Sequence, residues 1–228
     1  MTLPHIAIDG PVASGKSTVA LMVARRLNLL YIDTGAMYRV VALAALRDGV
    51  DLDDGEALAE LPQRHQIDLK PAADARGYAV CLDGVDVTAQ LFRGAVTAAV
   101  STIAAQPQVR RVLVERQREI ARHHAVVMAG RDIGTVVLPN APFKVFLTAS
   151  VAERVRRRLE EMRAAGSTID AQTLREEVER RDHTDTTRAE SPLVPAQGAL
   201  VLDSSALSAE EVVDRIVSWV ASSTAAGA

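Results

Sequence analysis

The sequence predicts an α/β fold: a five-stranded parallel sheet flanked by helices, with a small inserted antiparallel β subdomain and a helical lid. Three observations carry the prediction. Short apolar runs alternate with stretches of helical periodicity. A glycine-bearing loop joins the first run to the first helix. One segment, His65 to Thr88, abandons that rhythm for short alternating runs.

The apolar runs are His5–Asp9, Leu30–Asp33, Ala125–Ala129 and Phe143–Thr148, with Ala199–Asp203 as a fifth. Such runs suit strands buried on both faces of a parallel sheet. Between them, Ser17–Leu27 places Val19, Val23 and Leu27 on one helical face, and Ala36–Asp48 ends at Gly49 as a C-cap. Ser150 with Glu153 forms a capping box before an arginine-rich helix that stops near Gly166, and Ser208 with Glu211 repeats the device before the last helix. In the odd segment the runs are split by "ADARG" and by Asp83-Gly84, a strong hairpin signal. The tail "SSTAAGA" is small and polar and is expected to fray.

The chain has 228 residues, 48% hydrophobic and 24% charged, which suits one soluble domain over 1–228, with the insert at about 58–99 and the lid at about 151–190. A net charge of −3 supplies no global attraction to nucleic acid or membrane, so neither is expected as a partner, and a monomer is expected. With no basic-then-apolar leader and no apolar run long enough to span a bilayer, a cytoplasmic location is expected. Cys81 is the only cysteine, which excludes an internal disulfide or a thiolate metal cluster; it reads as a small apolar strand residue. Of 26 basic residues only Lys16, Lys70 and Lys144 are lysines. Compositional bias accounts for that, and so does the use of forked guanidinium groups to hold anions.

The stretch "IAIDGPVASGKST" carries the chemistry. Gly10-x4-Gly15-Lys16-Ser17 between a strand and a helix is a P-loop, and extends the prediction to a three-layer P-loop NTPase fold. Loop N–H groups and the helix N-terminus attract phosphate, Lys16 reaches the β- and γ-phosphates, and the Ser17 hydroxyl ligates Mg²⁺. ATP is thus expected against Gly10, Pro11, Val12, Ala13, Ser14, Gly15, Lys16, Ser17 and Thr18, with Mg²⁺ as its cofactor. A GTP switch would carry an Asn/Thr-Lys-x-Asp motif, and no lysine here stands in one. A motor would need more chain. A small kinase needs an acceptor pocket and a lid that excludes water, and "ERVRRRLEEMR" suits the lid. Lys16, Arg131, Arg154 and Arg158 are candidate catalytic cations, and Arg157 a candidate ATP contact.

Four further motifs accompany the P-loop: "DTGAMYR" from Asp33, "PQVR" ending at Arg110, "GRDIGTVV" from Gly130 and "RRDHTDTTR" from Arg180. With "FKVFLTAS", "SPLVPA" and "ALVLDSS", this ordered set resembles the bacterial cytidylate kinases across nearly the whole chain. The resemblance implies CMP and dCMP as phosphoryl acceptors and the insert as the monophosphate-binding subdomain. It places Thr34, Arg110, Asp132 and Arg188 around the base, Ser101, Arg181 and Asp185 at the sugar, and Arg39 and Arg131 on the acceptor phosphate, with Asp33 among the other CMP-binding residues. Cytosine shows a donor at N4 and acceptors at N3 and O2, so a carboxylate with two guanidiniums complements it, while uracil leaves that set mispaired. Each position also has a plainer reading. Asp132 with Arg131 is also a possible structural ion pair, Arg181, Asp185 and Arg188 a possible solvated helix face, and Thr34 a possible helix cap. The five histidines read as structural or surface residues.

Two positions depart from the family pattern. Where relatives carry an arginine after the insert, this chain has Phe92, and Arg93 is expected to reach the CMP phosphate instead. Where relatives place Asp or Glu before Gly-Arg-Asp, it has Ala129, so Mg²⁺ is expected on Ser17, ATP phosphates and water alone, unless the family's carboxylate is dispensable. The expected reaction transfers the ATP γ-phosphoryl group to CMP. A uridylate-tolerant kinase and a nucleotide-binding regulator without turnover are the alternatives.

Overall fold

The computed structural model of the protein describes residues 4–72, 77–164, 166 and 168–226. Along the chain come β1 (His5–Asp9), α1 (Lys16–Leu27), β2 (Leu30–Asp33), α2 (Thr34–Asp48), α3 (Gly55–Arg64), β3 (Ile67–Pro71), β4 (Tyr78–Leu82) and β5 (Val85–Asp86). A 3-10 turn at Thr88–Phe92 leads to α4 (Gly94–Ala105), α5 (Pro107–His123) and β6 (Val126–Gly130). A short π-turn at Ile133–Val137 precedes β7 (Phe143–Thr148), α6 (Val151–Ala164), α7 (Ala171–Thr187), β8 (Leu200–Asp203) and α8 (Ala209–Ala226). The chain forms two compact units: one is the chain up to Leu30 together with Ala125 onward, the other Tyr31–His124.

The parallel sheet has the order β2-β6-β1-β7-β8. Strand β1 lies at its centre, with Asp9 level with Gly130 on one side and Phe146 on the other. Ile6, Ala7 and Ile8 are at most 1% exposed, as a strand covered on both faces requires. Helix α1 packs on β6 and α8. Val19 and Val23 fill its buried face, while Leu27 is only partly covered where the helix ends at the left-handed Asn28. Trp219 of α8 meets Phe143 edge-on, ring centroids 5.5 Å apart. Among the described residues no helix is long and apolar enough to cross a membrane.

The strand expectations hold to within a residue at each end, and α2 starts at Thr34, two residues ahead of Ala36. The two capping boxes differ. At α8 the box is reciprocal: the Ser208 Oγ accepts from the Glu211 N–H and the Glu211 carboxylate accepts from the Ser208 N–H. At α6 it is half formed. Ser150 Oγ accepts from the Glu153 N–H at 3.3 Å, but the Glu153 carboxylate is taken by Arg156 and Arg157, and the Ser150 N–H turns to Ser205. Arg156 above all holds the Glu153 carboxyl down at about 2, so neighbouring guanidiniums outcompete the cap. Where a frayed tail is expected, α8 continues through Ala226, in keeping with alanine's helix preference, and the Ser222 hydroxyl donates to the Trp219 carbonyl within it. Residues 227 and 228 lie outside the described residues, as do 73–76 of "ADARG".

In the Tyr31–His124 unit, α2 packs against α3, α4, α5 and β4. Strands β3, β4 and β5 form the expected antiparallel sheet, in the order β3-β4-β5. Its hairpin turns on Asp83 and Gly84, both left-handed at φ 52° and 80°, the backbone that a type I′ turn demands. His65, which ends α3, is no idle surface residue. Its Nδ1 lies 2.7 Å from Asp83 Oδ2 and its Nε2 3.0 Å from Asp48 Oδ2, which ties the hairpin turn to the end of α2. Two ring nitrogens facing two carboxylates are both satisfied only by the imidazolium. The hydrogen bond to Asp83, then that to Asp48, raises the His65 pKa. A folded-state pKa above the unfolded value of about 6.5 makes this clip contribute fully below that pH and fade as the pH rises through the folded value. In urea unfolding of the wild type and His65→Ala, the stability gap is therefore expected to be wide at about pH 5.5–6 and to narrow by about pH 8.5. A gap that does not change with pH would refute the clip.

Candidate active site

The loop from Gly10 to Gly15 joins β1 to α1 at the end of the central strand. Gly10 is required by a close approach: a Cβ there would sit 2.0 Å from the Leu147 carbonyl oxygen of β7. The turn then takes left-handed backbone at Ala13 (φ 57°) and Gly15 (φ 86°). Lys16 is 9% exposed and its ammonium donates to the Pro11 carbonyl at 3.0 Å, so the lysine curls over the crest of its own loop. Ser17 and Thr18 are exposed on the first turn of α1. Glycine at the point of tightest approach, a lysine over the crest and an exposed hydroxyl at a helix N-terminus fit a nucleotide triphosphate with magnesium. Mg²⁺ takes hard oxygens and keeps several waters, so a single protein hydroxyl beside phosphate oxygens suits it. Among the described residues no group of three or more His, Cys, Asp or Glu is arranged to hold a metal.

The three candidate lid arginines have three different placements. Arg154 is 4% exposed and almost fully committed. Its Nε donates to the Ala149 carbonyl, its Nη1 to the Val12 carbonyl and Asp182 Oδ1, and its Nη2 to Asp182 Oδ2 at 2.6 Å. It braces the loop crest against α6 and α7, and the Val12 side chain joins the small core of Val155, Leu174 and Val178 on those helices. Arg157 also reaches the loop, donating to the carbonyls of Ser14 and Ser204, with a terminal nitrogen 3.6 Å from where a Gly15 Cβ would lie. Arg158 instead pairs with Glu161 of the same helix at 3.0 Å.

In the same unit, the turn after β6 brings together the residues expected at the acceptor. Asp132 is 5% exposed. Arg131 Nε donates to Asp185 Oδ2 of α7 at 2.7 Å, and Arg188 Nη1 stands 4.0 Å from Asp185 Oδ1. Burial would raise the Asp185 carboxyl, but Arg131, with Arg188 and Arg181 behind it, outweighs that and holds it below the ordinary range.

In the Tyr31–His124 unit, Asp33 ends β2 and occupies the N-cap position of α2 without a side-chain capping bond, and its carboxylate accepts from the Tyr78 hydroxyl at 3.2 Å. Thr34 is the first helical residue and 4% exposed, so the cap position belongs to Asp33. Arg39 donates to the Leu91 carbonyl and to Thr97 Oγ1, and its guanidinium lies over the Phe92 ring, 5.0 Å from the centroid. Phe92 thus steadies Arg39 while the adjacent Arg93 is exposed. Arg110 is 5% exposed, donates to the Ala104 carbonyl and stacks over Tyr38, and Ser101 is half-buried on α4.

A family model described as Cytidylate kinase matches residues 6–222. The cytidylate kinase of Desulforamulus reducens is 54% identical over 94% of this chain and 96% of its own length. That of Pelotomaculum thermopropionicum is 52% identical over 96% of each chain. The chain belongs to the cytidylate kinase family. It is, with that family, an ATP-dependent nucleoside monophosphate kinase. A solved structure of an uncharacterized protein from Eubacterium ventriosum shares the fold, with a TM-score of 0.55 at 12% identity over 96% of this chain and 99% of that one.

Within this cytidylate kinase, sequence reasoning passed over three residues that structure singles out. Asp182 stood inside a quoted motif without a role, yet it takes both terminal nitrogens of Arg154. Ser204 donates to the carbonyls of Ser14 and Thr148 and so ties the end of β8 to the P-loop. Asp9 is 2% exposed and accepts from the backbone of Ile133 and Gly134. The one legible signal was an acidic residue closing an apolar strand. For the arginines the structure yields a sharp contrast. Arg154→Ala strips a buried partner from Asp182 and two carbonyls, and is expected to cost about 2–3 kcal/mol of folding stability. Arg158→Ala removes an exposed pair and is expected to cost under about 0.5 kcal/mol. Denaturant unfolding of both variants checks this, and equal losses would contradict the bracing role.

Proposed function

We propose that this kinase transfers the γ-phosphoryl group of ATP to CMP, and also to dCMP, giving the diphosphate and ADP. The observation that carries the reading is the buried Asp132 carboxylate, directly after Arg131, in a chain of the cytidylate kinase family. A buried carboxylate suits the N4 amino group of cytosine, and Arg110 and Arg188 supply donors for N3 and O2. Ser101, Arg181 and Asp185 read the sugar, and Arg39, Arg93 and Arg131 hold the acceptor phosphate. On this reading the segment at about 58–99 serves the monophosphate and that at about 151–190 is the lid. A cytoplasmic location suits a reaction between ATP and CMP, and the chemistry needs no nucleic acid, membrane or second subunit.

The acceptor is a phosphate oxygen already ionised at neutral pH, so no general base is required. Lys16 and the arginines position the two phosphates and offset the charge between them. Ser17 would hold Mg²⁺, which when bound neutralises phosphate charge. Arg157 supports the P-loop from α6, Arg154 acts through Val12 and Asp182, and Arg158, paired with Glu161, is the lid arginine proposed to reach the nucleotide.

A coupled assay for ADP across CMP, dCMP, UMP and AMP tests the whole reading. Turnover on CMP and dCMP is expected to exceed that on UMP by orders of magnitude. Comparable rates on UMP would favour the uridylate-tolerant alternative, and CMP binding without ADP formation the regulator. Asp132→Ala is expected to lower kcat/KM for CMP at least about a hundredfold while ATP affinity changes little; equal losses toward both substrates would point to unfolding. Ala129 is 1% exposed and its methyl offers no metal ligand. Ala129→Asp is expected to lower the Mg²⁺ concentration that half-saturates both ATP binding and rate. Superimposable magnesium titrations, with folding intact, would refute this account of the metal.

A further inference from the structure

We propose that Asp9 is a positioning residue for the acceptor, its carboxylate holding the turn that presents Arg131 and Asp132. The inference rests on the reading of those two residues as CMP contacts. Asp9 closes β1 immediately before the P-loop, is 2% exposed, and spends both carboxylate oxygens on backbone N–H groups. Its Oδ1 accepts from the Ile133 N–H at 2.7 Å and its Oδ2 from the Gly134 N–H at 2.8 Å. These are the two residues after Arg131-Asp132, so one side chain on β1 fixes the backbone that aims both acceptor groups. Strand pairing sets the span, because Asp9 is level with Gly130.

The chemistry selects a carboxylate. Two adjacent N–H donors need two acceptor oxygens, and asparagine would turn its amino group toward one of them. That carboxylate is held at a cost. Burial outweighs the two backbone bonds and the nearby Lys16 of α1, Asp132 adds like charge, and the carboxyl is pushed up to about 6. Lys144 of β7 borders the same turn, its Cδ 3.4 Å from where a Gly134 Cβ would lie. A group that strains its own ionisation this far is a poor choice for stability alone, and a suitable one for tying the acceptor turn to the strand that carries the ATP loop.

The test is calorimetric titration of CMP, and separately of ATP, into the wild type and Asp9→Asn at about pH 8 and about pH 5. At pH 8 the variant is expected to bind CMP at least about tenfold more weakly, and ATP within about threefold of the wild type. At pH 5 the wild-type carboxyl is protonated, so the ratio of the two CMP affinities is expected to shrink toward one; the phosphate of CMP titrates alike in both proteins and cancels. Gly134→Ala displaces the same turn without altering charge, since its Cβ would meet Ala196 at 3.1 Å. It is expected to show the same CMP-selective loss, and decides the matter should Asp9→Asn not fold. Equal losses for both nucleotides, no loss in either variant, or a ratio independent of pH would overturn the proposal. Failure of the wild type to bind CMP would overturn the functional reading and this inference with it, whereas wild-type binding that the variants leave unchanged overturns this inference alone.

Discussion

The nucleotide end of this protein depends on the pairing of β1 between β6 and β7. The register sets Asp9 beside Gly130 and Phe146, so the P-loop and the Gly-Arg-Asp turn leave the sheet side by side. Gly10 must pass the Leu147 carbonyl, which leaves no room for a side chain. The P-loop begins there, and the Gly-Arg-Asp turn begins on the neighbouring strand one step away. A slip of one residue along a strand would turn every side chain to the other face. Here it would also separate the loop from the turn.

Guanidinium groups do most of the polar bracing in the nucleotide-binding unit, and they do it on both sides of the chemistry. Arg154 and Arg157 donate to the carbonyls of Val12 and Ser14, so the loop that offers N–H groups to phosphate has its opposite, carbonyl side held by cations. That satisfies oxygens which would otherwise repel a nucleotide. Arg131 and Asp185 pair with each other at 2.7 Å, and that mutual pairing compensates two partly buried charges. The fork of arginine suits both tasks, because its donors lie in one plane and engage two acceptors at once. The scarcity of lysine therefore has a structural use here, whatever its compositional origin.

Much of this was legible in the chain. Short apolar runs separated by helical stretches suit the strands of a covered parallel sheet, and β1 and β6 are buried almost throughout, whereas β8 leaves Val201 exposed. The Asp83-Gly84 pair named the hairpin, because few other residues accept two successive left-handed conformations. The P-loop spacing named phosphate. Legibility failed where partners are distant. Glu153 has the right spacing to cap α6, but the arginines one turn on take its carboxylate, and spacing does not rank competitors. Ser222 looked like the start of a frayed tail because small polar residues are ambiguous when read singly.

The sequence by itself determined the class of fold and the phosphate loop, because those rest on local periodicity and on residue types at short, fixed spacing. Only the tertiary structure decided that Arg154 braces the P-loop while Arg158 pairs with Glu161, that His65 is structural, of the two readings open to it, and that Asp9 holds a turn 124 residues away. Each of those depends on which side chains meet after the chain has folded. A charged group's role is set by its burial and its partners, and neither is a property of its place in the sequence.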